Sequence, residues 1–289
     1  MDRRLSLAIG DYPMVRPLRA AGALEDGTGI DFPLVSPIHR AFAPMAREQR
    51  YDVAEMAIVT ALQALAYNKP IVLLPVTIAA RFQHRCIIRL SSRPEIQPPA
   101  LAGRRIGVRA YTQTTGMWIR ALLAEATGLA ADQSHWFTQE GAHVAEYADP
   151  PFVTPLPESA KLPTLLAEGV IDAAILGNDL PDDPLFAPVF DAPEQVARAW
   201  FARTGVVPIN HVLVARADVA AIHAPQLRML IATLAADKSD ATPDLLPAGE
   251  AAMAHSIAYL LDACHAQGLL PRRLDAGEVF APARALGLA

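Results

Sequence analysis

The stretch Arg104-Arg105-Ile106-Gly107-Val108-Arg109-Ala110-Tyr111-Thr112-Gln113-Thr114-Thr115-Gly116-Met117-Trp118 passes from a buried strand through a short polar turn into an amphipathic helix. Ile106 to Arg109 form the apolar strand segment, and Trp118, Leu122 and Leu123 mark one face of the helix. The turn therefore sits at the carboxyl end of a strand and the amino end of a helix. Backbone N–H groups point out of such a helix start, and the helix dipole adds partial positive charge. Thr112, Gln113 and Thr114 contribute side-chain donors there. The same features describe an ordinary helix cap and a place to hold a carboxylate or another small oxyanion, so the rest of the chain has to decide between them.

Outward from this unit the same alternation recurs. On the amino-terminal side the pattern gives strands at 5–9, 30–35, 52–56, 71–76 and 86–90, with helices at 37–49 and 58–67. On the carboxyl-terminal side it gives strands at 135–138, 171–176 and 206–214 and helices at 162–168, 193–203, 224–236 and 248–267, the last stopped by Gly268. Alternating strands and helices imply an α/β protein with mostly parallel sheets covered on both faces. A Pro-rich break at 92–99 separates two such series, and the apolar segment 206–214 is placed to return the chain to the first. The expected organisation is two lobes, residues 1–90 with 212–289 and residues 91–211, joined by two hinge crossings with a cleft between them.

Bulk properties narrow the function. Hydrophobic residues at 52% against 19% charged give ample material for a core and exclude a disordered chain. A net charge of -5, with no basic run interleaved with aromatics, argues against nucleic acid, which is bound by neutralising phosphates. No apolar run approaches the ~20 residues of a membrane span. The amino terminus has no apolar segment of signal-peptide length, so a cytoplasmic location is expected, or a periplasmic one if an export sequence has been trimmed. The two cysteines, Cys86 and Cys264, fall in unrelated segments and give no basis for pairing. Nothing in the sequence opposes a homo-oligomer.

Ligands of open α/β sheets bind outside the carboxyl ends of strands. The segments meeting that rule carry Tyr12, Glu55, His84, Tyr111 to Thr114, Asn178, and Asn210-His211. Glu55 follows an apolar strand and precedes an apolar helix, where partial desolvation suits a carboxylate to acid/base work. His84 and His211 flank the two expected crossings, each either a core histidine or a proton carrier. Arg16 is suited to bidentate binding of a carboxylate. Tyr12 and Trp118 offer rings for a planar ligand, although Trp118 stands at core spacing. His143-x-x-Glu146 has the spacing of two metal ligands but lacks a third, so no metal is expected. There is no Gly-rich phosphate loop, nucleophile elbow or paired-cysteine zinc spacing, and no cofactor is expected.

Taken in order, Gly10-Asp11-Tyr12 with Arg16-Pro17-Leu18, Asp52-Val53-Ala54-Glu55-Met56, Phe82-x-His84-x-Cys86-Ile87, Gly103-x-Arg105-Ile106-Gly107-Val108, Tyr111 with Thr114 and Trp118, His135-Trp136, and Arg203-Thr204-Gly205-Val206-x-Pro208-Ile209-x-His211 resemble the 4,5-dihydroxyphthalate decarboxylase family. The resemblance covers roughly residues 5 to 235. It implies the two-lobed Venus-flytrap of type 2 periplasmic-binding proteins and cofactor-free removal of a carboxylate from a hydroxylated aromatic acid bound in the interlobe cleft. Under it, His84 or His211 delivers the proton, Glu55 handles a ring hydroxyl, and Arg16 with the Thr112–Thr114 helix start binds carboxylate. Tyr12, Tyr111, Asn178 and Asn210 complete the expected substrate contacts. The alternative of a different class is a solute-binding protein that delivers a small carboxylate to a transporter. The acidic loop Asp179-Leu180-Pro181-Asp182-Asp183 favours that alternative, because a dicarboxylate would be better met there by a basic residue. A pyridoxal-phosphate-consuming synthase of the same fold is opposed by the small number of lysines and cysteines.

Overall fold

A computed structural model describes residues 4–157, 159–177, 179–236 and 244–289. Its strands are β1 (Leu5–Ala8), β2 (Ile30–Asp31), β3 (Val53–Ala57), β4 (Ile71–Ala80), β5 (Ile87–Leu90), β6 (Arg105–Val108), β7 (His135–Thr138), β8 (Val153–Pro155), β9 (Ala173–Ile175), β10 (Phe186–Pro188) and β11 (Ile209–Arg216). Its α-helices are α1 (Arg16–Ala21), α2 (Phe42–Glu48), α3 (Ile58–Ala66), α4 (Thr114–Thr127), α5 (Leu162–Ala167), α6 (Pro193–Thr204), α7 (Ala217–Ile222), α8 (Ala224–Ala236), α9 (Glu250–Ala266) and α10 (Ala276–Ala285).

The chain divides into two compact units. One comprises Met1–Arg81, Ile209–Asp262 and Leu270–Ala289, and the other Phe82–Pro208 with Ala263–Leu269. The sequence expectation differs at three places, the first being residues 209–211, which go with the first unit as the start of β11. Residues 82–90 go with the second unit because β5 finds its hydrogen-bonding partners there, in β9 and β10. Residues 263–269, at the end of α9, also lodge in the second unit, held by side-chain bonds described below.

The first unit has a five-stranded sheet in the order β2-β1-β3-β11-β4. β1 runs parallel to β2 and β3, whereas β11 is antiparallel to both β3 and β4. The expectation of mostly parallel sheets is corrected here, and the reason is connectivity. Parallel neighbours need a crossover within the unit; β11 arrives from the other unit and is free to enter the sheet in the opposite sense. β4 contains Pro75, which the sheet tolerates because β4 is an edge strand. The core gathers Leu7, Val53, Leu74, Leu213, Leu18 of α1, and Leu227, Leu230 and Leu234 of α8.

The second unit has a six-stranded sheet, β10-β5-β9-β6-β7-β8. β6 to β9 contribute parallel pairs and β5 is antiparallel to both its neighbours, again the strand that follows a chain crossing. Ile88, Leu162, Leu166, Ile171 and Leu176 form one cluster on this sheet. Asp172 ties the turn into β9 to the start of β6: it accepts from the Arg105 backbone N–H at 3.0 Å, from Arg105 Nε at 3.0 Å and from Arg93 Nη1 at 2.8 Å. Cys86 and Cys264 are buried free thiols, and burial pushes the Cys264 thiol up to about 12. Among the described residues, no helix is long and apolar enough to cross a membrane.

Candidate functional site

The first unit assembles one polar cluster around Glu55. The sequence places this residue at a strand end; it stands instead in the middle of β3, all five residues of which are buried. Strand periodicity explains its neighbours. Glu55 pairs with Leu213 across β11, and His211 pairs with Ala57, so residues 55 and 211 project diagonally on the same face. On the other flank the chain leaving β1 brings Gly10 and Tyr12 to the same carboxylate. The Gly10 backbone N–H donates to Glu55 Oε2 at 2.9 Å, and the Tyr12 hydroxyl donates to Oε1 at 2.6 Å. His211 Nδ1 lies 2.6 Å from Oε1. A side chain on Gly10 has no room, since a Cβ there would meet Tyr12 Cε2 at 2.8 Å and Glu55 Oε2 at 3.3 Å.

These contacts fix protonation states by chemistry. Burial, followed by the neighbouring Glu55 charge, raises the Tyr12 phenol above its ordinary value, so it remains a donor. An ionised carboxylate only accepts, so a hydrogen bond across the contact between Glu55 Oε1 and His211 Nδ1 calls for an imidazole with its proton on Nδ1. Nε2 is left facing away from the carboxylate. The side chain keeps 24% exposure, whereas Glu55 has none. Phe42 of α2 packs edge-on against the imidazole, ring centres 5.1 Å apart. The register of β11 against β4 is irregular from Ile209 to Leu213, which re-aims the strand at this histidine. A histidine whose Nδ1 is clamped by a buried carboxylate and whose side chain keeps partial exposure is built to pass a proton.

The remaining expected site residues fall elsewhere. His84 belongs to the second unit, in the short 3-10 turn His84–Cys86. It is 3% exposed, with Phe190 and Trp200 edge-on at 5.2 and 6.0 Å. Its Nδ1 is buried without a hydrogen-bond partner, and burial pulls the imidazole down to about 4. It lines a hollow with Leu122, Glu125, Phe190, Trp200 and Arg203. Arg16, expected to reach a ligand, is paired with Asp11 at 3.1 Å, both side chains more than half exposed. The Tyr12 hydroxyl is engaged by Glu55, and its ring is partly buried. Asn210 is buried in β11, on the face opposite His211 by strand alternation. Asn178 lies outside the described residues.

The Tyr111 to Thr114 turn does lead into α4, and no acid or side-chain cap occupies its first turn. Gln113 is the N-cap residue, and Thr112 and Thr114 are each 3% exposed. Tyr111 is fully buried, so its ring belongs to the unit's interior: it packs edge-on to Trp136 and Phe152 and its hydroxyl donates to the Gln267 carbonyl at 3.1 Å. Trp118 is likewise core. Among the described residues no group of three His, Cys, Asp or Glu is arranged to hold a metal ion, and His143 and Glu146 sit in a loop rather than on one helix face.

Two residues of consequence escaped sequence reasoning. The close packing of Gly10 against Tyr12 cannot be read from a lone glycine. Arg120 is the other: an arginine four residues after Gly116 on an otherwise apolar helix face is a legible anomaly, and in the structure it is buried with Nε donating to Gln267 Oε1 at 2.7 Å.

In class, this is the two-unit α/β fold of type 2 periplasmic-binding proteins. The alkanesulfonate-binding protein SsuA from Xanthomonas axonopodis pv. citri, bound to MOPS, superposes with a TM-score of 0.53 at 14% identity, covering 99% of this chain and 83% of that one. The desulfurization enzyme DSZB superposes with a TM-score of 0.51 at 15% identity, covering 97% of each chain. The fold thus serves binding proteins and an enzyme alike. In sequence, the chain resembles 4,5-dihydroxyphthalate decarboxylases: that of Comamonas testosteroni is 27% identical over 97% of both chains, and that of Pseudomonas putida is 28% identical over 68% of this chain and 81% of its own. No family model matches.

Proposed function

We propose that the protein is a cofactor-free carboxy-lyase that removes a carboxylate from a hydroxylated aromatic acid, with His211 as the proton carrier. The observation that carries this reading is the Glu55 cluster, in which Gly10, Tyr12 and His211 converge on one buried carboxylate. The resemblance to 4,5-dihydroxyphthalate decarboxylases supplies the substrate class. The step balances simply. A ring hydroxyl ortho or para to the carboxylated carbon makes that carbon basic. His211 takes a proton from solvent on Nε2 and gives it to that carbon, the bond to the carboxylate breaks, its electron pair restores the aromatic ring, carbon dioxide leaves, and the imidazole returns to its neutral form. Glu55 steadies the imidazolium while it exists and sets its orientation. Glu55 acts behind His211 in this reading and does not touch the ring hydroxyl, in contrast to the sequence expectation. His84 packs against Phe190 and Trp200 within the second unit. Cleavage occurs in the cytoplasm in this reading, in keeping with the resemblance to the decarboxylases.

The test is turnover of 4,5-dihydroxyphthalate and related ortho- or para-hydroxylated aromatic acids in D2O. The expected result is carbon dioxide release with one deuterium at the vacated ring carbon, and a loss of kcat in His211→Ala of roughly 10²–10⁴-fold. Tight binding across the panel without release of carbon dioxide would overturn the lyase and leave a solute-binding protein, the role that the SsuA neighbour has.

A further inference from the structure

The peptide that joins Ile9 to Gly10 is bonded at both ends. Its N–H, on Gly10, donates to Glu55 Oε2 at 2.9 Å, and its carbonyl, on Ile9, accepts from Arg19 Nη2 at 3.0 Å. The pairing of β1 with β3 ends at Ala8, so this peptide lies just past the sheet and is held by side chains instead. Arg19 is the basic residue in the last turn of α1 and reaches back from there to the end of the strand. Its guanidinium carbon stands 4.5 Å from the centre of the Phe32 ring, and its Nε is buried without a hydrogen-bond partner. Asp11 feels the Arg19 charge, but its carboxylate is bonded to Arg16 at 3.1 and 3.3 Å.

Glu55 is fully buried, and among the described residues neither a lysine nor an arginine bonds to it. Its partners are a peptide N–H, a phenol and an imidazole. A buried carboxylate is costly unless its hydrogen bonds repay its desolvation. The Ile9–Gly10 peptide strengthens that repayment. A peptide carries a dipole of about 3.5 D, here with its positive end at Glu55 and its negative end at Arg19. A cation on the carbonyl draws electrons toward the oxygen and makes the N–H a stronger donor, since hydrogen bonds in a chain polarise one another. Arg19 therefore acts on Glu55 through a single peptide, and Glu55 acts on His211 across 2.6 Å.

We propose that Arg19 is a positioning residue: it polarises the Ile9–Gly10 peptide, tightens the bond from Gly10 to Glu55, and so fixes the carboxylate that orients His211. The inference rests on the reading of Glu55 and His211 as the pair that handles the proton, but its first test needs no turnover. Arg19→Met removes the charge and the donor while keeping a straight apolar stem beside Phe32; Arg19→Lys keeps the charge. In the ligand-free protein, NMR reads the Gly10 amide proton and, with 15N-labelled histidine assigned through His211→Ala, the two ring nitrogens of His211. In Arg19→Met the Gly10 proton is expected to move upfield, as in a weakened hydrogen bond, and the His211 nitrogens to leave the Nδ1–H pattern for a mixture of tautomers. Arg19→Lys is expected to return both signals most of the way. With an aromatic acid that turns over, kcat in Arg19→Met is expected to fall roughly tenfold while Kd stays within about twofold, because a charge-assisted chain has become a neutral one. Unchanged Gly10 and His211 signals in Arg19→Met overturn the proposal and leave Arg19 as packing for α1, with the lyase reading intact. A lysine variant no closer to the parent than Arg19→Met also overturns it, because charge is then not the agent. Should the methionine variant not fold, Arg19→Gln, which keeps an N–H donor without the charge, is expected to show the same shifts, and parent-like signals in it overturn the proposal. Signals that move as expected in a protein releasing no carbon dioxide from any aromatic acid uphold the role of Arg19 and overturn the lyase reading alone.

Discussion

A single carboxylate oxygen, Glu55 Oε1, receives the Tyr12 hydroxyl and the His211 imidazole at 2.6 Å each, and this geometry dictates what substitutions will do. Glu55→Gln keeps the volume but puts an amide NH2 among three donors: facing Gly10 it leaves that N–H without its acceptor, and facing Tyr12 and His211 it displaces both and turns the imidazole to the other tautomer. The expected result is a kcat reduced on the order of 10²–10⁴-fold with ligand affinity close to the parent's, read from single-turnover rates beside calorimetric binding. A kcat within a few-fold of the parent would remove Glu55 from the mechanism. His84 sends its signal through stability instead. Burial depresses its folded value from 6.5 to about 4, so the folded state resists the proton that the unfolded chain accepts. The stability contributed is complete above pH 6.5 and is lost as the pH falls through 4, about 3 kcal/mol at the acid end. Chemical denaturation of the parent from pH 7 to pH 4 should show that loss, and His84→Leu should flatten the corresponding part of the curve.

At the scale of elements, the sheet of the second unit depends on one carboxylate to join segments far apart in sequence. Burial alone would raise the Asp172 carboxyl, but Arg105, through side chain and backbone, and Arg93 hold it well below the usual carboxylate range. Asp172→Ala leaves the Arg105 backbone N–H and two guanidinium groups without that acceptor, and is expected to cost about 2–4 kcal/mol in denaturant unfolding. Because the folded value is depressed, the contribution persists through mild acid and fades only below the ordinary aspartate range. Asp172→Ala should therefore differ from the parent equally at pH 7 and pH 5; a difference confined to pH 7 would contradict the assignment. The strands that depart from parallel order, β5 and β11, are the ones that follow chain crossings, and β11 is also the strand that carries His211.

At the scale of the whole molecule, ligand binding and stability are linked. A hydroxylated aromatic acid that binds the folded chain alone stabilises it by about 2.7 kcal/mol at a concentration 100 times its Kd. For a chain of this size that corresponds to a rise in Tm of about 4–5 °C, and thermal melts across a panel of aromatic acids should rank them in the order of their affinities. No rise with any member of the panel, at millimolar concentrations, would show that the ligand class is wrong.

What the sequence determined is local or pairwise. The period-2 runs and helical stripes give β3, β6, β11, α4 and α9 within a few residues, since strand and helix periodicities are properties of short windows. Asp52-Val53-Ala54-Glu55-Met56 and the segment ending in His211 also announced themselves as chemistry, because a carboxylate and a histidine in apolar runs contradict their surroundings. Tertiary structure alone decided which of these residues work together. Glu55 and His211 are separated by 156 positions, and only the antiparallel insertion of β11 beside β3 sets them on one face. The same holds for Arg16, which closes locally on Asp11, and for Arg120, whose meaning depends on Gln267 arriving from the far end of the chain. Hydrogen bonds and burial are satisfied by position in space, and position in space is set by sheet register and chain crossings, which no short window of sequence contains.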